Sequence, residues 1–469
     1  MLYHTPAELK SEYDVAVIGG GLGGLTAAIV LAKKMGRRVV LLEQHDKLGG
    51  LATWFNRKGH IFDVSLHGFP VGMIKTCKRY WNEEIAASIV QLSEIRFENP
   101  QFSLSTTFDE QDFTSKLVHQ FKLNPETVSE FFKTARRMEF VDEPDLTVAQ
   151  LFERFFPGRN DVVRLLMEPI TYANGSTLSE PALTYGIVFS NFMSKGVFTF
   201  QGGTDLLISK MQKELLDSKV DIALCSLVDK INLASGRVQS VESCGHQIRC
   251  RSVISNGNIL TTVKKMVGEQ HFSDQFRKNL SGVRLNNSSC QVYMGVRSGE
   301  KIPEIGDLIF CSEEPEFIPE KLLAFDTSSR TFSLYYPKTR PGTNRYSIVA
   351  SSNAKFEDWT ALSDLEYSAA KKNLCEITLK TLEKFIPGVR SKIDYIEAAT
   401  PRTFHRYTLH EQGASFGTKF EGLKISMGLE REIGGLFHTG SVGIIMSGWL
   451  GAANYGVIVA NNADKYLKK

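Results

Sequence analysis

Residues 13–43, YDVAVIGGGLGGLTAAIVLAKKMGRRVVLLE, constrain the fold of this chain more than any other stretch. The apolar run at 15–18 reads as a buried parallel strand. Gly19, Gly21 and Gly24 follow at the spacing of a dinucleotide fold, with Gly20, Leu22 and Gly23 between them. Gly19 permits the tight turn out of the strand, and Gly21 lets the backbone approach a pyrophosphate. Gly24 lets the following helix pack closely on the sheet. That helix, expected over 22–35, points its first N–H groups and the positive end of its dipole at the phosphates. Gly36 ends it, residues 38–42 read as a second strand, and Glu43 closes that strand. A carboxylate there, about twenty residues past the glycines, can accept both hydroxyls of an adenosine ribose and would repel a 2′-phosphate.

The rest of the chain narrows the function classes. A length of 469 residues allows two intimately packed domains or one large composite domain. The 55 basic and 52 acidic residues leave a formal charge of +3, so no global field draws the protein to nucleic acid. No run of about 18 apolar residues occurs, and no transmembrane span is expected. The nucleotide motif starts so close to Met1 that no leader is expected upstream, which reads as a cytoplasmic protein. The 7 cysteines contain no CxxC pair, which fits reduced thiols and neither a disulfide framework nor a zinc site. Cys244 and Cys250 read as strand residues flanking a turn at Gly245. No metal-ligand spacing, Ser–His–Asp grouping or carboxylate pair stands out.

Residues 1–73 read as the first part of a nucleotide domain. Within it, Gly49 and Gly50 sit where the chain passes a bound cofactor, and 59–67 reads as an extended strand carrying Asp63, Ser65 and His67. Residues 74–199 change character to a helical lid or substrate segment, with helices expected over 75–92, 110–119, 124–137, 146–155 and 161–167, and a strand-like stretch at 97–107. Asn124 is a plausible N-cap there, followed by Pro125. The aromatic stretch 189–200 reads either as a cavity wall or as core. Nucleotide-domain character returns over 200–283, with a helix at 205–216, a strand at 220–228, a hairpin turning at Gly236, and a strand ending at Ser255, Asn256 and Gly257. Strands dominate 284–400, including one at 322–326, and suggest a mixed or antiparallel sheet under a substrate chamber, with a long helix at 365–385. Residues 401–469 return to the nucleotide domain with a short strand at 435–439, a glycine loop at Gly440, Ser441, Val442 and Gly443, and a final helix over 448–466 that aims a second N-terminus at the cofactor.

Together VAVIGGGLGGLTAA, LLEQHDKLGGLA, GHIFDV, FQGGTDLL, VISN, ATPRTFHRY and GLFHTGSVGIIMSG resemble the flavin amine oxidase and phytoene desaturase superfamily. The chain is most similar there to the carotenoid desaturase, carotenoid cis–trans isomerase and retinol saturase group. The resemblance implies an α/β architecture: an FAD-binding Rossmann-like (GR2-type) fold with an interleaved α+β substrate domain. It implies FAD as cofactor, with Gly19 to Gly24 at the pyrophosphate and Glu43 at the adenosine ribose. Gln44, Gly49, Gly50 and Leu51 would line the ribityl arm, and Val228, at the end of its strand, would meet adenine through its backbone. Ser255 and Asn256 would lie beside the cofactor, Gly440 and Ser441 would face ribityl and phosphate, and Ile445, Met446 and Ser447 would sit near the isoalloxazine. Two departures stand out: Ser441 where many relatives place an acid, and Ser65 where members often carry glycine.

The implied activity is hydride exchange at the flavin with a hydrophobic polyene, isoprenoid or related lipid. Desaturation, isomerisation and saturation stay open, as does an amine oxidase or protoporphyrinogen oxidase-like flavoenzyme, or a non-catalytic isoprenoid-binding escort. His67 reads as a flavin-proximal group or a satisfied structural histidine. Arg402, His405 and Arg406 stand near the active cavity in the family pattern, whereas His410 reads as surface loop. Lys75, Lys78 and Arg79 are compatible with peripheral contact to anionic headgroups, or with a plain solvated helix.

Overall fold

The strand at the head of the chain, Glu12–Ile18, lies inside a seven-stranded sheet in a computed structural model that describes residues 4–65, 67–192, 195–443 and 445–469. The sheet runs Asp221–Ala223, Val39–Leu42, Glu12–Ile18, His246–Ser255, Arg237–Ser243, Val228–Ala234, and Leu436–His438 also pairs with His246–Ser255. Its nucleotide half is parallel, and Val15, Val17, Val40, Leu41 and Ile254 are buried completely, as strands covered on both faces must be. The first helix, Leu22–Ile29, continues into a π-helical turn at Val30–Lys34. The last helix, Gly448–Leu467, crosses it so closely that a Cβ on Gly456 would lie 2.4 Å from the carbonyl of Gly23.

A second, mixed seven-stranded sheet runs Ile393–Ala399, Ser288–Val296, Ser347–Ala354, Arg330–Tyr335, Leu308–Cys311, Ile95–Asn99, Phe102–Thr106. Its last two strands form a hairpin from the segment expected to be a helical lid, so that segment shares its hydrogen bonds with the substrate sheet. The helices of the segment, among them Pro125–Arg137, Asn160–Asn174 and Ala182–Phe192, close over an aromatic core of Phe131, Phe152, Phe156, Tyr185 and Phe189. Asn124 caps the first of these as expected, accepting from Glu126 N and Thr127 N.

A buried joint links the hairpin Trp54–Asp63, the start of the helix Thr204–Asp217 and the loop that follows Arg330–Tyr335 in the second sheet. Asp63 accepts from the backbone and hydroxyl of Thr204 at 2.7 and 2.6 Å, and from Arg340 Nε and Nη2 at 3.2 and 2.9 Å. This joins the GHIFDV, GGT and substrate-sheet segments through one carboxylate with every lone-pair direction used.

Several expected elements differ. The helix at 75–92 divides into Gly72–Tyr80 and Glu83–Ala87, because Asn82 turns extended and caps the second helix by accepting from Ile85 N. Residues 89–91 then form a strand, Ile89–Gln91. The strand at 220–228 stops at Ala223; Cys225 takes a left-handed conformation (φ +52°), and Val228 begins the next strand. Residues 322–326 are not a strand, since Pro319 starts a 3₁₀ turn at Pro319–Leu323. The strand at 59–67 is only His60–Asp63, paired with Trp54–Arg57. Of the aromatic stretch 189–200, residues 193–194 lie outside the described part; Phe189 and Phe200 are core, while Val197 faces a cavity.

Candidate active site

The glycine turn builds a cradle with no side chain in front of it. Gly19 has φ +92°, which only glycine adopts without strain. A Cβ on Gly21 would lie 2.7 Å from Asn256 Nδ2, and one on Gly23 2.5 Å from the carbonyl of Thr439. One on Gly24 would lie 2.1 Å from the carbonyl of Gly19, the close helix–strand contact the spacing anticipates. Gly49 (φ +113°) and Gly50 (φ +58°) fold over the same turn, with Gly49 N donating to Gly20 O at 2.7 Å. The first helix starts at Gly21 without a side-chain cap, so its leading N–H groups stay free for an anion. Thr439 Oγ1, buried against Gly23, has no hydrogen-bond partner among the described residues. These features fit a pyrophosphate-bearing dinucleotide.

Glu43 stands beside the cradle. One carboxylate oxygen accepts from Gly20 N at 2.6 Å and the other from His45 N at 2.9 Å. Burial pushes its carboxyl up, opposed by these amides. A carboxylate has about four acceptor sites, so two remain for ribose hydroxyls. Gln44 and His45 tie the rim to the carbonyl of Tyr407.

The cradle opens into a cavity of about 1220 Å³. Its far arm is apolar: Phe108, Ile170, Tyr172, Val188, Leu308 and Phe310 line it. Its floor is the second sheet, and Trp449, Phe416 and Leu450 close it near the start of the last helix. His67 stands on the wall, with Nδ1 2.7 Å from Ser333 Oγ and Nε2 3.1 Å from Ser351 Oγ. Burial pushes its pKa down to about 4, so it is a neutral imidazole at pH 7.

Of the residues singled out in the sequence, Gly19, Gly21, Leu22, Gly23, Glu43, Gln44, Gly49, Gly50, Leu51, His67, Val228, Asn256, Arg402, Ser441, Ile445 and Ser447 line this cavity. Five of the expected cofactor-site residues do not, each for a packing reason. Gly20 turns its Cβ position toward Leu48, and Gly24 faces the strand. Ser255 Oγ is spent on Thr262 Oγ1 at 2.8 Å. Gly440 packs on the carbonyl of Gly257 and the ring of His438, and Met446 packs against the core.

The catalytic expectation needs correction. His405 is exposed, outside the cavity lining, and its Nδ1 is held 2.8 Å from His410 O. It lies on the outer face of the helix Pro401–Thr408. Arg402 lines the cavity, but its guanidinium is bonded to the carbonyls of Trp359 and Leu362 and stacks on Tyr367 at 4.4 Å. His410, expected in a surface loop, lines the cavity with Nδ1 2.9 Å from Ala414 O. Thr439, Gln291, Thr331 and Tyr172 also line it without having been singled out. The middle two stand on different strands, so alternation within a strand does not relate them; only the cross-strand register through Ser351 does.

Cradle and cavity fit the fold class of nucleotide-dependent oxidoreductases. Residues 17–83 match the family described as NAD(P)-binding Rossmann-like domain. The chloroplastic prolycopene isomerase of Daucus carota is 24% identical over 448 residues, 86% of this chain and 71% of that protein. The all-trans-retinol 13,14-reductase of Macaca fascicularis is 21% identical over 483 residues, 88% of this chain and 78% of that protein. Among solved structures, an oxidoreductase from Methanosarcina mazei has a TM-score of 0.68 at 14% identity, covering 96% of this chain and 100% of that one. Putrescine oxidase bound to putrescine has a TM-score of 0.66 at 14% identity, covering 98% and 99%. The chain is thus a homologue of an isomerase and a reductase on an amine oxidase-like fold. That bears out the resemblance, the fold class and the enzyme class expected from the motifs. Among the described residues no group of His, Cys, Asp and Glu could hold a metal ion, and no helix is long and apolar enough to cross a membrane.

Proposed function

We propose that this protein is an FAD-dependent oxidoreductase acting on a hydrophobic polyene, isoprenoid or related lipid. One observation carries the reading: a single cavity joins a glycine cradle suited to a dinucleotide with an apolar arm suited to a chain. FAD supplies hydride acceptance or return at its N5 when bound. The chain's own residues bind, orient and exclude water. Gly21, Gly23 and the first turn of the first helix hold the pyrophosphate, with Thr439 Oγ1 donating to it. Glu43 takes the adenosine ribose with its two remaining acceptor sites, and Gln44, Gly49, Gly50 and Leu51 border the ribityl arm. Ser441, Ile445 and Ser447 lie toward the isoalloxazine, beside the uncapped start of the last helix.

Trp449, Phe416 and the apolar arm keep water from the reacting carbon atoms. His67 is neutral at pH 7 and held by two serine hydroxyls, so it orients the cavity wall and is not a cationic acid. Phe108, Ile170, Val188, Leu308 and Phe310 give the arm an apolar lining, which favours an apolar chain there. Peripheral contact with a membrane surface would let such a substrate enter without crossing water.

The test is an absorption spectrum of the purified protein before and after heat denaturation, with the released cofactor identified by mass. Incubation with polyenes follows, with and without a reductant. The expected result is a yellow protein that releases FAD and converts a polyene. A colourless protein that takes up no added FAD would instead favour the escort, and peroxide formed from amines under oxygen the amine oxidase.

A further inference from the structure

The floor of the cavity carries a polar row inside otherwise apolar surroundings. In register across five strands stand Ala399, Gln291, Ser351, Thr331 and Phe310, and all five line the cavity. Cross-strand partners share a sheet face, so the middle three present polar groups side by side to the space that the apolar arm enters. Ser351 is occupied by His67. The other two are not satisfied. Thr331 is 6% exposed and lines the cavity, and its hydroxyl makes no hydrogen bond among the described residues. Gln291 is 3% exposed, and among the described residues its carboxamide meets only the hydroxyl of Tyr293, itself 2.9 Å from Val64 O. Whichever way that amide is turned, one of its two arms is left at the cavity wall without a partner among the described residues. Buried polar groups left open in this way are matched in native proteins by water or a ligand.

Resting on the lipid reading above, we propose that the substrate is an apolar chain bearing one hydroxyl or carbonyl oxygen, anchored by Gln291 and Thr331. The chain lies along Phe310, Tyr172, Ile170 and Val188, and its oxygen sits over the row. A pure hydrocarbon would strip water from both groups and return no hydrogen bond, so the row selects against it. A hydroxyl or carbonyl satisfies them; a carboxylate or ammonium finds no counter-charge in the row.

The test uses the cofactor-loaded protein and compares equilibrium binding of geranylgeraniol with its deoxy hydrocarbon, read by quenching of tryptophan fluorescence. Wild type should bind the alcohol about tenfold or more tightly. Gln291→Leu and Thr331→Val should each reduce that ratio, chiefly by weakening the alcohol, and the double variant should abolish it with cofactor content unchanged. Equal affinity for both chains in the wild type would overturn the proposal while leaving the lipid reading intact, the open groups then being satisfied by water. A preference that survives in the double variant would overturn the assignment of the anchor. Failure to bind either chain in a yellow protein would sink the lipid reading itself, and this inference with it.

Discussion

Glu168 sits in the middle of the helix Asn160–Asn174 at 1% exposure, and neither carboxylate oxygen has a hydrogen-bond partner among the described residues. Arg164, one turn earlier, approaches to 3.5 Å. Burial pushes the Glu168 carboxyl up to about 7 against the pull of that guanidinium. The folded protein therefore keeps this proton to a higher pH than the unfolded chain. Its stabilising contribution is full at acid pH below the ordinary glutamate value and is lost as pH rises toward 7. Glu168→Gln should remove that slope, gaining about 1–3 kcal/mol relative to wild type between about pH 5 and 8. Urea unfolding at the two pH values checks it; parallel profiles would mean that Arg164 keeps the group ionised. Glu43 is the opposite case, a buried carboxylate with work on both sides. Glu43→Ala removes an acceptor from Gly20 and His45 and, under the proposed function, from the ribose, each charge-assisted bond being worth about 1.5–3 kcal/mol. It should weaken FAD at least tenfold by flavin fluorescence titration, and Glu43→Gln less, since the amide keeps one acceptor.

The first and last helices meet through backbone rather than side chains. At Gly456 a Cβ would come within 2.4 Å of Gly23 O and 3.1 Å of Ala27 N, neither of which can swing aside. Gly456→Val should push the last helix off the first, at a cost of about 1–3 kcal/mol. Both helices begin at the cradle, so FAD occupancy should fall along with the melting temperature; a normal melting temperature with full occupancy would mean the helices tolerate the shift. Little of this could be read from the chain alone. The strand, the glycine turn, the Asn124 cap and the final helix declare themselves in adjacent residues, through apolar runs, positive φ and capping chemistry. Which glycine of GWLGAANYGVIVA touches another helix depends on a partner over four hundred residues away. The same holds for the polar row: Gln291, Thr331 and Ser351 are unremarkable singly and gain meaning only from register. His405 failed for a related reason, since a helix has two faces and the motif does not say which one turns inward.

At the scale of the molecule, the cavity is lined from both sheets, which the chain visits alternately, and the Asp63–Arg340–Thr204 joint ties a loop of the second sheet to the hairpin Trp54–Asp63 and the helix Thr204–Asp217. Both charged partners are nearly fully buried, at 5% and 3% exposure. Arg340 also stacks over Tyr335 at 4.8 Å. Arg340→Met keeps much of the volume but strands Asp63, and breaking a buried pair from one side costs about 3–5 kcal/mol. Cofactor binding acts on the same equilibrium by mass action, adding about 2.7 kcal/mol when free FAD is a hundredfold above its dissociation constant. If the joint stabilises the whole fold, saturating FAD should raise the melting temperature of wild type and variant alike, and leave the holo variant below the holo wild type. If the joint serves only to shape the cavity, FAD should bring the variant fully back to the wild-type melting temperature. Calorimetry of both proteins with and without FAD separates the two, and the buried, fully satisfied geometry of Asp63 predicts the first.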